Sequence, residues 1–326
     1  MANMFEYLLD KIEKAPFSYT PFKHLEITNF LAEKDFREIV TSKQVQTSGY
    51  DSTETLLKEL EANGYVIIPF PGCITSKDEY LKWFHGKSEK HVHEATESFG
   101  IVFRLHNYQN ETIKQLNEFF ESPELVEVVR KKFDISRDTK VDAGLQKYLH
   151  GYEISPHADI RRKALTWMLN INPGPDTENA EFHTHYLKPK AEFHYVTDFW
   201  ATNPDCDRDW VPWSWCETVK RQRDNNSIVF FSPSDDTLHA VKADYDHLKT
   251  QRTQFYGNLW YNATPLTKIS FKAFDIRANH KQLEAESAQK SKLKNAVKAS
   301  AVGSLLRTVK SGLKKSDDSS IRKVKV

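Results

Sequence analysis

From Val141 onward the chain is written in short runs of β-branched and aromatic residues. Each run is cut off by Gly, Pro, Asn or Asp: LQKYL, KALTWMLNI, SIVFF, HAVKA, RTQFYGNLWY and KISFKAF. Short strands at regular spacing with turn residues between them predict a sandwich or barrel. No internal repeat is visible. Ahead of this region, residues 1–135 read as mixed helix and strand packing on the core. In SKDEYLKWF, Ser76 precedes Glu79 by three residues, a capping-box pattern. In SPELVEVVRKKF, Ser122 and Pro123 form a cap and first-turn pair. STETLLKELEANGYVIIPF reads as a helix closed near Gly64 and then a short strand. The expected architecture is α+β: flanking N-terminal helices, a β core over 136–277, and a basic helical or disordered tail over 278–326.

The tail stands out by charge. Residues 277–326 hold 13 Lys and Arg against 4 Asp and Glu, a net of +9, while the remaining 276 residues carry a net of −8. A mildly acidic body gives no reason to expect a specific nucleic-acid partner. Cys73, Cys206 and Cys216 are scattered and odd in number, which suggests neither a disulfide framework nor a cysteine zinc site. The opening MANMFEYLLDKIEK has early acids and no long apolar run, unlike a signal peptide. No stretch approaches the ~20 apolar residues of a membrane span. The expected location is the cytoplasm.

The chemistry starts at KYLHGYEISPHADIRRKALTW. Side chains at i and i+2 of an extended chain share a face, so His157 and Asp159 can converge on one point. About eighty residues on, SIVFFSPSDDTLHAVKA places His239 at the start of another short strand. Two His and one carboxylate on one face of an octahedron form the facial triad of non-haem iron(II) oxygenases, which leaves positions for a bidentate co-substrate and dioxygen. Thirteen residues past His239, Arg252 opens RTQFYGNLWYN. A buried Arg there could hold a carboxylate by paired charge-assisted bonds. Period two puts Arg252, Gln254 and Tyr256 on one face, with Phe255 and Leu259 on the other.

With those residues in place, the stretch from Leu145 to Tyr261 resembles the iron(II)- and 2-oxoglutarate-dependent oxygenases, in particular their prolyl-hydroxylase-like branch. KYLHGYEISPHAD, KALTWMLNIN and FFSPSDDTLHAV carry the resemblance. It implies a double-stranded β-helix (jelly roll) fold. His157, Asp159 and His239 would bind Fe(II), and Arg252 would grip the far carboxylate of 2-oxoglutarate. Tyr148 would lie near the co-substrate. The strand after His-x-Asp lacks a tyrosine that some members use there, and Asn170 or Thr166 is expected to substitute. The implied reaction consumes O2 and 2-oxoglutarate, releases succinate and CO2, and hydroxylates a substrate C–H bond. The carboxylate at 159 favours hydroxylation, or another oxidation, over halogenation.

Between the ligand segments, residues 176–222 read as an insertion beside the site, and long loops on a rigid scaffold often carry specificity. The segment holds His183, His185 and His194 and four of the seven tryptophans: Trp200, Trp210, Trp213 and Trp215. His183 and His185 are either a second metal pair or, as the preferred reading, one inward-packed and one pocket-lining residue. Trp213 and Trp215 either meet substrate or anchor the insertion. Arg161, Arg162 and Lys163 read as surface residues. Three functions stay open: the hydroxylase, a non-redox jelly-roll protein binding a saccharide or peptide, and a metal-dependent hydrolase or isomerase. A small molecule, a saccharide and a protein all remain as substrate classes.

In the tail, Leu293, Val297, Ala301 and Leu305 recur with helical spacing among Lys and Arg. A basic amphipathic helix of this kind docks on anionic lipid or an acidic partner, so a peripheral membrane contact is one expectation and a solvated tail the other. Deleting the residues after about 280 is expected to leave 2-oxoglutarate turnover intact. Loss of iron binding in that truncation would move the boundary.

Overall fold

A computed structural model of the chain describes residues 3–46, 49–87, 94–174, 177–262 and 292. The chain divides into two units, Met1–Ile269 and Ser270–Val326, and every element named below lies in the first. The expected strand KISFKAF and, apart from Lys292, the basic tail lie outside the described residues.

The helices form where the sequence caps them. They are α1 (Tyr7–Lys14), α2 (Glu33–Thr41), α3 (Thr53–Ala62), α4 (Lys77–Phe84), α5 (Glu111–Phe120), α6 (Pro123–Lys132) and α7 (Tyr195–Thr202). Ser52, Ser76, Asn110 and Ser122 each accept a hydrogen bond from the backbone N–H three residues on, at the heads of α3, α4, α5 and α6. Gly64, at φ +92°, turns the chain out of α3. Among the described residues no helix is long and apolar enough to cross a membrane.

The strands are β1 (Phe17–Ser18), β2 (His24–Ile27), β3 (Tyr65–Ile67), β4 (Val102–Leu105), β5 (Thr139–Tyr148), β6 (Glu153–His157), β7 (Lys163–Asn170), β8 (Thr184–Pro189), β9 (Cys216–Gln222), β10 (Ile228–Phe231), β11 (His239–Lys242) and β12 (Arg252–Tyr261). They make two antiparallel sheets, a large one in the order β1-β2-β10-β7-β12-β5-β4-β3 and a small one in the order β6-β11-β8-β9. From β5 to β12 the chain passes back and forth between the two, an arrangement consistent with the expected jelly roll. The insertion expected over 176–222 is narrower than that span. β8 and β9 are strands of the small sheet, and the connection between them carries α7 and returns to the sheet where Trp210 bridges His157 of β6.

Alternation along the large sheet separates two chemistries. Leu145, Leu165, Trp167, Leu169, Phe230, Phe255 and Leu259 point to one face, where they share a core with Leu8, Ile39, Leu56, Leu116, Phe119 and Leu125 of the helices. Each fully buried side chain of this kind contributes roughly 1.5–3 kcal/mol. The opposite face carries Gln146, Thr166, Asn170, Arg252, Gln254 and Asn258, all exposed by 2 % or less. The helices thus brace one side of the sheet, and the other side is left for polar groups.

Trp167 is the thickest part of that brace. Its ring stacks on Phe120 with centroids 5.8 Å apart and lies across Gly257, where a Cβ would come within 2.3 Å of Cζ2. Gly257→Ala therefore has no room unless the indole shifts. We expect a loss of about 1–3 kcal/mol, read as a lower midpoint in urea unfolding; an unchanged midpoint would show that the indole moves freely.

Candidate metal centre

His157 ends β6 and His239 opens β11, and the antiparallel pairing sets them directly opposite one another. The pairing contains a bulge: His239 faces His157, but Val241 faces Ile154, so β6 carries one extra residue. The two imidazole centroids lie 4.3 Å apart. Asp159 follows in the loop after β6, with Oδ1 3.7 Å from Nε2 of His157 and Oδ2 3.9 Å from Nε2 of His239. One ligand atom from each of the three residues fits within 4.8 Å of the others. Among the described residues this is the one group of three or more His, Cys, Asp or Glu able to hold a metal ion.

The backbone sets the ring tautomers. Nδ1 of His157 lies 2.9 Å from the Ser155 carbonyl oxygen, and Nδ1 of His239 lies 3.0 Å from that of Thr237. A carbonyl only accepts, so each Nδ1 carries the proton and each Nε2 offers a lone pair. Burial, then the neighbouring His157, pulls His239 down to about 3 against the opposing pull of Asp159, so its ring is neutral. Asp159, 3 % exposed, would be pushed up by burial. The Lys163 ammonium leads the groups that outweigh this and hold the carboxyl well below the usual range. Two imidazole nitrogens and one carboxylate oxygen suit a divalent first-row metal.

Ion pairs tie the loops that carry the triad. Arg208, from the β8–β9 connection, donates to the Asp159 carbonyl at 2.9 Å and to Asp235, just ahead of His239, at 2.8 Å. Arg161 pairs with the same Asp235 at 3.3 Å and donates to the carbonyls of Trp200 and Cys206. Arg161 and Lys163 are therefore not the surface residues the sequence suggested. Both turn inward onto specific partners, and Arg162, exposed, has its guanidinium over Trp260.

Arg252 sits on the same inner face, 2 % exposed, opposite Tyr148 on β5. Its guanidinium lies 4.4 Å from the Tyr148 ring centroid, and Nη2 donates to Thr184 at 3.0 Å. Burial pulls the guanidinium below its ordinary value, and its neighbours are the neutral tyrosines Tyr148, Tyr152, Tyr245 and Tyr186. Among the described residues no carboxylate pairs with it. The Tyr148 hydroxyl is engaged with the Gln146 amide at 2.6 Å.

The remaining sequence candidates find other partners. Thr166 donates to Asp159 Oδ2 at 2.6 Å. Asn170 donates to the carbonyls of Gln222 and Asp224 and accepts from Gln254, so its amide joins β7 to β9 and β12. His183 bonds the Thr177 carbonyl, and burial with the nearby Arg252 lowers it to about 4. His185 bonds the Thr218 hydroxyl and meets the edge of Trp213. Trp213 donates to Glu153 at 2.7 Å, and Trp215 stacks on Phe193 at 4.8 Å. Both tryptophans pack against a small core of Ala158, Leu187, Val196 and Trp200.

No protein-family model matches the chain, and no curated protein matches it. Solved structures similar to it include a prolyl-4-hydroxylase from Pseudomonas putida, 11 % identical over 80 % of this chain and 100 % of that one, with a TM-score of 0.40. A prolyl hydroxylase from Trichoplax adhaerens, in complex with a hypoxia inducible factor peptide, is 11 % identical over 79 % and 88 % at 0.37. An oxidoreductase of the 2OG-Fe(II) oxygenase family from Burkholderia pseudomallei is 11 % identical over 69 % and 98 % at 0.29. The chemistry of this chain rests on its own side chains.

The buried histidines give the metal-free protein a defined acid response. His239 and His183, held at about 3 and about 4, stay neutral in the fold, whereas in the unfolded chain they titrate near the ordinary value of 6.5. Between those values the unfolded state binds more protons, so stability falls as pH drops below about 6.5. Asp159, held well below its ordinary value of 3.8, is ionised in both states at these pH values, so its contribution is constant across pH 5–7. With chelator present, urea unfolding at pH 5 should show a loss on the order of 2 kcal/mol per histidine relative to pH 7. His183→Gln should remove its share; a slope unchanged in that variant would mean that His183 titrates normally.

Proposed function

We propose that the chain is an iron(II)- and 2-oxoglutarate-dependent dioxygenase built on a double-stranded β-helix, hydroxylating a substrate C–H bond. The carrying observation is a pair of features: the His157–Asp159–His239 triad carried by β6, β11 and the loop after β6, and the buried Arg252 on the polar face of the large sheet, with no carboxylate partner among the described residues. A buried cation left alone is costly, so Arg252 calls for an anion from outside the protein.

The residues present fit both groups. Nε2 of His157, Nε2 of His239 and an Asp159 oxygen would hold the metal; the ring tautomers already aim the lone pairs inward. Arg252 and Thr184 would take the far carboxylate of 2-oxoglutarate, with the Tyr148 ring beneath the guanidinium. Bound iron with 2-oxoglutarate supplies oxygen activation, coupling C–H oxidation to release of succinate and CO2. The chain's own work is to hold the ligands, orient the co-substrate and exclude water. Arg208, Asp235 and Arg161 keep the two ligand loops together for this purpose. Small molecules, saccharides and protein side chains are all substrate classes that this reading admits.

The test is succinate formed from 2-oxoglutarate with added iron and ascorbate. The wild-type chain should form it, and Asp159→Ala should not. Arg252→Met should raise the 2-oxoglutarate requirement at least about 30-fold, since losing one partner of a buried charged pair costs about 2–5 kcal/mol. Absence of succinate, with metal content unchanged in Asp159→Ala, would overturn this reading and leave that of a non-redox binding protein.

A further inference from the structure

Lys163 opens β7, and the alternation of that strand would send it outward with Leu165, Trp167 and Leu169. A bulge intervenes. Leu259 of β12 pairs with Leu165, but Trp260 pairs with Lys163, so Ala164 is one residue too many. The extra residue re-aims the side chain, as bulges do beside functional sites. Lys163 Nζ then lies 2.5 Å from Asp159 Oδ1 and 3.0 Å from the Tyr256 hydroxyl, with the side chain 13 % exposed.

Further bonds support both ends of this contact. The Tyr256 hydroxyl donates to Asn258 Oδ1 at 3.2 Å. The Thr166 hydroxyl lies 3.1 Å from that same oxygen and donates to Asp159 Oδ2 at 2.6 Å. Asn258 and Thr166 are direct cross-strand partners, so the sheet itself spaces these two side chains. The result is a carboxylate held at both oxygens, by Lys163 at Oδ1 and by Thr166 at Oδ2. A carboxylate free to rotate about its last torsion presents no constant direction to a metal. One held at both oxygens does, and each oxygen keeps a lone pair to offer.

We propose that Lys163 is a positioning residue for the metal-binding carboxylate: its ammonium, steadied by Tyr256, fixes Asp159 Oδ1 while Thr166 fixes Oδ2, and the triad is set before a metal arrives. This rests on the triad being a metal site. Lys163 itself binds neither metal nor substrate in this role. Donors that orient a ligand typically change metal affinity 10–100-fold when removed. The opposite role is a cation that competes with the metal for Asp159, and its removal would tighten binding.

The experiment is anaerobic titration of the full chain with Co(II), reading the dissociation constant and the visible ligand-field spectrum. Wild type should bind one Co(II). Lys163→Met should bind it about 10–100-fold more weakly with an altered spectrum. Tyr256→Phe keeps the ammonium and removes one link, and should shift both readouts the same way by less. The double variant should resemble Lys163→Met alone, because both changes act through one carboxylate. Equal or tighter binding with an unchanged spectrum in Lys163→Met overturns the proposal. If circular dichroism shows that variant unfolded, Tyr256→Phe decides: wild-type affinity and spectrum there overturn it too. A wild-type chain that binds no Co(II) overturns both this role and the oxygenase reading. A wild-type chain that forms succinate, with variants that bind Co(II) normally, overturns this role alone.

Discussion

A carboxylate taken out of water has to be repaid locally or it takes up a proton. Asp159 is 3 % exposed and stays ionised, and much of the architecture around it follows from that requirement. Lys163 supplies the opposite charge, Thr166 a neutral donor, and Arg208 holds the backbone carbonyl of the same residue. Lys163 and Thr166 come from β7 and Arg208 from the β8–β9 connection, so the carboxylate, itself on the β6–β7 loop, is a meeting point of three segments. The same connection reaches Asp235 through Arg208, which brings the loop ahead of His239 under the same restraint. The three ligand side chains are therefore held by charge and hydrogen bonding that owe nothing to a bound ion.

Such a polar cluster needs a stiff floor. The large sheet provides it because its alternate residues do opposite work. Phe255 and Leu259 lock into the helical core while Arg252, Gln254 and Asn258, one position away, face the site. A one-residue slip would exchange the two sets, so the apolar packing of the outer face fixes the register of the polar one. Trp167 against Gly257 and Phe120 is where that packing is tightest. The bulges at β6 and β7 are local exceptions to this register, and both fall next to Asp159. Where regular alternation would aim a needed side chain the wrong way, the strand carries an extra residue.

This also explains what could be read from the sequence. The strands LQKYL, KALTWMLNI, SIVFF, HAVKA and RTQFYGNLWY lie in observed strands, because turn residues and β-branched runs are local signals. Arg252 and Tyr256 were placed on one face correctly because period two holds along β12. Lys163 was misread as a surface residue for the matching reason: its direction depends on a bulge opposite Trp260, and nothing in RRKALTW marks Ala164 as the extra residue. The expected co-substrate partners Thr166 and Asn170 are polar and inward, as the pattern implied, but their bonds go to Asp159 and to the β9 segment. Those partners lie far off in sequence or across a loop, where spacing carries no information. Arg208 and Asp235 were missed on the same ground. Each reads as one more charge in a loop, and only the fold brings them within 2.8 Å.

The two ends of the polar face differ in a way that bears on function. At one end the charge is balanced from within, Asp159 by Lys163. At the other, Arg252 is buried at equal depth among tyrosines, with its guanidinium bonded, among the described residues, to Thr184 alone and burial pulling it below its ordinary value. If the sandwich existed only to cradle a neutral sugar, or to hydrolyse a bond at the metal, a guanidinium buried there would be a cost without a return. The cost is explained if an anionic ligand completes the site from Arg252 while reaching the triad. A small dicarboxylate has that form: one end charged for the arginine, the other with oxygens for a metal. Under the proposed function, the buried Arg252 without a carboxylate partner among the described residues, more than the triad alone, favours an anionic co-substrate over a neutral ligand.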